Sequence, residues 1–437
     1  MRDGPATSGC VPVSRSPELA AHPFRPLRHR AVRLIWVAGA VSDIGTWVQL
    51  VVVGSLIARD TGSALLTGLT ALATFMPQGL AAPVGGLLAD RYDRSRVFIG
   101  GLTGQAVFTA GLAVLIASGQ RQPLILTAAI LCSSACGALG APGYAAMLPD
   151  LVPPDELMAM VSLGIYSWNS GRVIGPLFGA LLNATVGPAW TVTFNAFTFA
   201  GMAAAVLTIR RSFRPPPSAP AGVRQRLAEG LRSVRQVPGC RFGVVVMIML
   251  NLTVGPFMGL LPIYALKAFD GDIRLTGVMS SIQGIGAITG SLIFAAFAAT
   301  RGPSKVLRVA GVGLISAYAL FAIAPVPWMA CVAIAGLGAG VSSTFVTSMG
   351  IVQRDAPGAT RGRVLSIAQA SIGTAYGVGI LWIGALADAI GLRWAFFIAA
   401  AVATTMVVWL VRWAPWWPAT VDAVAGHGVA EERSAPS

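Results

Sequence analysis

Charge is what this sequence has least of. Only 11% of its 437 residues are Asp, Glu, Lys or Arg, against about 25% in soluble domains. That leaves too little polar surface to cover a water-soluble globule of this length. Hydrophobic residues make up 55% of the chain, and mean hydropathy is +0.72. Histidine is rarer still: His22, His29 and His427 all fall near the ends, so no imidazole stands in an apolar segment to relay protons. The five cysteines, Cys10, Cys132, Cys136, Cys240 and Cys331, are scattered. Cys132 and Cys136 are spaced for one helix face, but no third or fourth ligand is nearby. They read as small apolar packing residues rather than a metal site. No Gly-rich loop ending in Gly-Lys-Ser or Gly-Lys-Thr occurs, which argues against ATP hydrolysis. The acid clusters that a membrane-embedded transferase would need are missing too; Asp150, Asp155 and Glu156 read as loop and helix-start residues. The chain is therefore expected not to be an enzyme and to need no metal or organic cofactor.

What the sequence does have is a succession of apolar runs, each able to cross the ~30 Å hydrocarbon core that takes roughly 20 helical residues. Bounded by Pro, Gly and charge, twelve spans read at about 32–58, 64–88, 97–118, 123–147, 158–184, 188–209, 242–267, 275–299, 307–325, 328–350, 364–388 and 392–413. Residues 1–31 are rich in Pro and Arg without an apolar run. They are expected to be a disordered tail rather than a signal peptide, and 414–437 a second tail. Of the 31 Lys and Arg residues, 25 fall on the face that carries both termini, five on the opposite face, and Arg172 inside a span. The positive-inside rule then places both termini in the cytoplasm of a cell membrane. The net charge of +14 is topological, and nucleic acid is not needed to explain it.

Residues 210–241 divide the chain. Pro215–Pro217 stop the sixth span, and Val223, Leu227, Leu231 and Val234 then recur at helical spacing among arginines. This fits a short basic helix on the anionic inner leaflet. The flanking parts, 32–209 and 242–413, resemble each other. "LTGL" at 66–69 matches "LTGV" at 275–278, and "MVSL" at 160–163 matches "VLSI" at 364–367; the second offset also pairs Pro153 with Pro357 and Trp190 with Trp394. Two six-helix halves that rock around a midplane site are the arrangement of many secondary transporters. The expected fold is thus an all-α membrane protein with twelve transmembrane helices in two pseudo-symmetric bundles.

The scarce charges concentrate at 85–96, "GGLLADRYDRSR", the loop between spans two and three. It resembles the signature of the major facilitator superfamily, with Gly86, Asp90, Arg91, Arg94 and Arg96 at the signature positions. Asp93 stands where that family often has Gly. "WNSGRVIGPLFGALL" (168–182), "SDIGTWVQ" (42–49), "DTGSALLTGL" (60–69) and "RGRVLSI" (361–367) are similar to the drug/proton antiporter branch that includes macrolide and enterobactin exporters. The resemblance implies that Asp90 locks the cytoplasmic gate against the span beginning near Arg363, and that the protein works as a monomer. A basic loop that only fixes topology is the alternative. Gly86 is expected to allow close helix contact.

Two charges fall inside spans. Asp43 lies about 16 Å into the first span at 1.5 Å per residue, and Arg172 at similar depth in the fifth. An unpaired charge there costs several kcal/mol, so both are expected to face a water-filled cavity or each other. A carboxylate whose environment alternates can couple a proton to transport; a static pair that ties helices together is the other reading. Trp36, Asp43, Trp47 and Leu50 share a face suited to an amphipathic, often cationic, compound, though each tryptophan also suits an interfacial or packing role. Asn169, Asn195 and Asn251 are cavity candidates or interhelical glue. Gly175, Pro176 and Gly179 allow close packing, and Pro176 should bend its helix. The expected function is proton-coupled export of a small amphipathic organic compound (drug, antibiotic or siderophore-like), with the proton gradient as energy source and membrane lipids around it. An uptake permease differs only in direction. A transport-dead sensor would need an output domain that the short tails do not offer.

Overall fold

A computed structural model describes residues 24–209, 212–214, 223–358, 360–413, 417 and 422. Among them the secondary structure is helical, without a strand. The first half holds α1 (Arg30–Thr61), α2 (Ala64–Leu80), α3 (Ala82–Arg91), α4 (Arg94–Ala117), α5 (Pro123–Leu151) and α6 (Leu157–Leu207). A linker helix α7 (Val223–Gln236) leads to α8 (Pro238–Thr253), α9 (Phe257–Phe269), α10 (Ile273–Arg301), α11 (Pro303–Ile323), α12 (Pro327–Asp355), α13 (Arg361–Ile390) and α14 (Leu392–Trp413).

Ten stretches are long and apolar enough to cross a membrane, and α2 with α3, bent by 48°, supplies an eleventh. The twelfth is inside α6. Its 51 residues would reach about 75 Å, more than twice the hydrocarbon core. They divide at Gly187, whose φ of 81° and ψ of 171° no helix accommodates; only a residue without a β-carbon takes that conformation cheaply. The fifth and sixth spans are the two parts. Pro176, expected to bend the fifth span, lies inside its helix, and the break between the two parts comes at Gly187.

The seventh span is broken in a different way. α8 ends at Thr253 and α9 begins after Pro256. Pro256 has no N–H to give the Leu252 carbonyl, and the Phe257 amide turns to Val254 instead. In a bilayer those freed carbonyls must find donors. Trp382 Nε1 donates to Leu252 O at 2.9 Å, and Tyr318 Oη to Thr253 O at 3.1 Å. The donors come from α13 and α11, so the break also ties three helices of the second half together.

Two expectations at the basic end are corrected, and the second tail makes contacts of its own. Residues 24–29, counted as disordered tail, include a 3₁₀ turn (Arg25–Arg28) held by Glu156, which is 1% exposed and pairs with Arg25 (3.1 Å), Arg28 (2.5 Å) and His29 (3.1 Å). Glu156, the residue at which α6 starts as expected, is thus also a buried clamp. From the other tail, Trp417 stacks on Phe242 at 5.0 Å, and Asp422 accepts from Ser304 of α11. The rest of both tails and Pro215–Pro217 lie outside the described residues. Second, α7 does not lay its whole apolar stripe on a lipid surface. Val234 is buried against Cys240, Val244, Val352 and Val364 of the second half, and Glu229 pairs with Arg363 of α13. Leu231 stays exposed.

Candidate functional site

Between the halves lies a cavity of about 1500 Å³. Its mouth is bordered by Leu87 and Asp90 of α3 and by Gly362 and Arg363 of α13, so it opens at the arginine-rich end. Beyond the middle of the bundle the halves close on each other. A β-carbon on Gly284 would stand 3.0 Å from the Arg172 carbonyl oxygen, and one on Gly277 2.9 Å from that of Pro176. These glycines let α10 lie against α6. On the other seam, a β-carbon on Gly384 would come within 2.9 Å of Leu65 Cα, where α13 packs on α2.

Asp43 and Arg172 both line this cavity, but the structure does not pair them. Asp43 takes its hydrogen bond from the Ser167 hydroxyl, one turn nearer the mouth on the neighbouring span. That approach is possible because Gly171 leaves room: a β-carbon there would be 2.9 Å from the Asp43 carbonyl carbon. Arg172 reaches the other way. Its Nε donates to Gln283 Oε1 of α10 at 2.8 Å, across the seam between halves, and its guanidinium lies 5.9 Å over the Trp47 ring. The alternative in which the two charges face each other is therefore replaced by two charges on one wall, each with its own neutral partner.

An aromatic floor lies beside them: Phe75, Trp168 and Tyr376 line the cavity, while Trp47, expected there, is packed behind them and borders a small void instead. Trp47 packs 5.4 Å from Trp168 and 6.2 Å from Phe75, and Phe75 meets Tyr376 edge-on at 5.8 Å. Two buried N–H donors here, Trp47 Nε1 and Gln283 Nε2, have no partner, and the Tyr376 hydroxyl has none either. Trp47 and Gln283 both border that void, of about 10 Å³, about the room one water needs. With Arg172, this corner is rich in donors and short of acceptors. Gln283 was not singled out in the sequence, and a buried Gln matched across the halves by nothing but an Arg on another span leaves no local signal.

The remaining candidates divide. Asn251 lines the cavity as Asp43 does, its amide donating to Met247 O at 2.9 Å. Asn195 does not: it is 1% exposed and locked to Gln49 (2.8 Å) and Thr198 (3.0 Å) inside the first half. Asn169 turns back on its own helix at Ile165 O and is not among the lining residues. Neither borders the cavity as expected: Asn195 is a packing position inside the first half, and Asn169 bonds only to its own helix. Trp36, left open between belt and cavity, donates to Leu163 O at 2.8 Å and lines the cavity. Gly175 and Gly179 lie against Trp47 and Val48, where a β-carbon would stand 2.6 Å and 3.0 Å from α1 atoms.

In the charged loop, Gly86 is the correction. A β-carbon there would meet nothing within 4 Å, because this face of α3 borders the cavity; the close contact belongs to Gly85, against the Leu139 backbone of α5. Arg91 lies 5.8 Å over Tyr92, Arg94 bonds Ala146 O at 3.0 Å, and Arg96 is exposed. Asp93 caps α4 through the Ser95 and Arg96 amides and also accepts from Ser212 (2.8 Å) and the Phe213 amide (3.0 Å). Partial burial works against its charge, but these four sets of donors outweigh it and bring its pKa down to about 2.

The sequence profile of the family described as transmembrane secretion effector matches residues 21–424. The chain belongs to this family of major facilitator transporters. It is 26% identical over 360 residues to the enterobactin exporter EntS of Shigella boydii, covering 81% of this chain and 85% of that protein. To the multidrug efflux pump Tap of Mycobacterium tuberculosis it is 29% identical over 382 residues, covering 84% and 90%. Among solved structures, the nucleoside transporter NupG superposes with a TM-score of 0.66 at 14% identity, covering 87% of this chain and 98% of that one. A bacterial homologue of the iron transporter ferroportin in an inward-facing state gives 0.67 at 16%, covering 88% and 98%. The protein is a multi-pass membrane transporter and not an enzyme.

Proposed function

We propose that this transporter exports small amphipathic organic molecules by alternating access, coupled to protons through Asp43. The observation that carries this is the cavity between the halves, with its mouth at the basic end and Asp43 and Arg172 on its wall. With that end in the cytoplasm, as the 25-to-5 distribution of Lys and Arg argues, this conformer is the one that loads cargo from inside the cell. EntS and Tap are named as exporter and efflux pump, which supports the direction.

The aromatic floor gives apolar area for an organic scaffold. Arg172 and Gln283 Nε2, both on the cavity wall, ask for acceptors, so the favoured cargo pairs aromatic or aliphatic surface with oxygen-rich groups. This shifts the emphasis away from cationic compounds. Asp43 accepts a hydrogen bond from Ser167 while the cavity is open inward. When the basic end closes and the far end opens, a proton from outside takes that position and the cargo leaves. The return to the inward-open state releases the proton. A single chain contains every group invoked, so the working unit is a monomer among lipids.

The test is efflux of dyes, macrolides and siderophores from energised cells, for wild type and Asp43→Asn, with and without a protonophore. Loss of efflux by both treatments is the expected outcome. Protonophore-sensitive efflux that survives Asp43→Asn would leave the carboxylate a structural role, and accumulation of a substrate inside cells would reverse the direction.

A further inference from the structure

The far end of the bundle carries a contact that the transport reading does not use. Asp388 lies near the end of α13, in the second half, and its carboxylate sits over the first turn of α2, in the first half. Oδ1 accepts from the Ala64 amide at 2.6 Å; Oδ2 accepts from the Leu65 amide at 3.1 Å and the Ser63 hydroxyl at 2.6 Å. Ser63 Oγ in turn accepts from the Leu66 amide at 3.1 Å. The opening amides of a helix have no partners inside it, and here two of them are satisfied by a residue more than 320 positions away. The carboxylate also meets the positive end of the α2 dipole.

α2–α3 and α13 run antiparallel along one seam, and the arrangement is reciprocal. From the cap residue Ser63 to Asp90 is 27 positions, and from the cap residue Thr360 to Asp388 is 28. Each span of the pair thus ends in an acid at the level where the other begins. At the basic end the seam is open, and Asp90 and Arg363 both border the mouth, with Arg363 paired to Glu229 of α7. At the far end the seam is shut and Asp388 is engaged.

We propose that Asp388 is the latch of the far gate: it clamps α2 while the cavity is open at the basic end, and must release when the far end opens. Ser63, Ala64 and Leu65 then exchange the carboxylate for water, so the bond biases the conformational equilibrium without blocking it. Gly384 places the α13 backbone close enough to Leu65 for the carboxylate to reach.

The test reads conformation without any substrate, so failure of the export reading would leave its outcome standing. In a cysteine-free background, Val51→Cys reports on the far seal, because Val51 is 4% exposed and borders the small void above the cavity. Sealed right-side-out and inside-out vesicles are treated with a membrane-impermeant maleimide. Asp388→Ala is expected to raise the labelling rate from the far side roughly tenfold, the low end for bonds to a charged group. Asp388→Asn, which keeps one acceptor oxygen, should give a smaller rise, and Ser63→Ala a smaller one again. Asp272→Ala, at a helix cap of α10 whose bonds stay within its own helix, should change nothing. Far-side labelling at the wild-type rate in Asp388→Ala overturns the proposal. Should that variant fail to fold, unchanged rates in both Asp388→Asn and Ser63→Ala overturn it equally.

Discussion

The segment that leaves the sixth span is held by two anchors of similar strength, and Asp93 is the one that can be removed cleanly. Its Oδ2 takes the Ser212 hydroxyl and the Phe213 amide, while its Oδ1 caps α4. Phe213 is 3% exposed, packed with Ile35, Leu102 and Phe199. Burying a phenyl ring contributes about 2–3 kcal/mol, and the two bonds to a carboxylate near water about 2–3 kcal/mol together. Asp93→Gly removes the second contribution but hardly weakens the cap, since Gly at that position costs only a few tenths of a kcal/mol. With 1.4 kcal/mol per tenfold, undocking of Phe213 should become about 50-fold more frequent while most molecules stay docked. Chymotrypsin cleavage after Phe213 follows that population when opening is fast relative to cleavage. The expected result is cleavage about 50-fold faster in Asp93→Gly and an intermediate rate in Asp93→Asn. Cleavage of Asp93→Gly at the wild-type rate would mean that Phe213 alone holds the segment. The acid side gives an independent check. A carboxylate held at about 2 in the folded protein, against the ordinary 3.8, contributes stability above pH 4 that is lost as the pH falls towards 2. Pepsin cleavage at Phe213 should therefore rise between pH 4 and pH 2 in wild type, beyond the enzyme's own profile measured on Asp93→Gly.

The other perturbations follow from single contacts. Glu156→Gln removes the charge that Arg25, Arg28 and His29 share; because Arg28 is 54% exposed and can turn to water, the loss should be modest, about 1 kcal/mol, and appear as faster hydrogen exchange in residues 24–29 rather than as global unfolding. Trp382→Phe and Tyr318→Phe each strand a carbonyl at the break in the seventh span, which should cost about 1–3 kcal/mol apiece and lower the unfolding temperature in detergent. Gly284→Leu puts a side chain against the Arg172 carbonyl, so the inward-open state should be disfavoured and far-side labelling of Val51→Cys should rise.

The fold was legible because a membrane leaves few choices. Apolar length dictates spans, arginine distribution sorts the loops, and the matches 66–69 with 275–278 and 160–163 with 364–367 expose the repeat. The charges in spans were legible for the same reason: nothing at the depth of Asp43 or Arg172 tolerates a charge without a polar surface nearby. What the charges touch was not legible. Ser167 and Gln283 are ordinary polar residues whose roles arise only when α1 meets α6 and α6 meets α10, and a single sequence carries no record of that meeting. The asparagines went the other way. Asn195 and Asn169 have the polarity of cavity residues, but helical phase decides where they point, and their amides were satisfied by Gln49 and by Ile165 O. Asp388 shows the limit most plainly. It reads as an exposed acid at the end of a span, indistinguishable from Asp60 or Asp270 by composition. Its partners are backbone amides, which no sequence displays. The contacts that alternate between states of such a transporter lie between halves, and are written in backbone placement more than in residue type. The side chains a sequence marks as special locate the cavity; the ordinary acid that closes its far end has to be found from the structure.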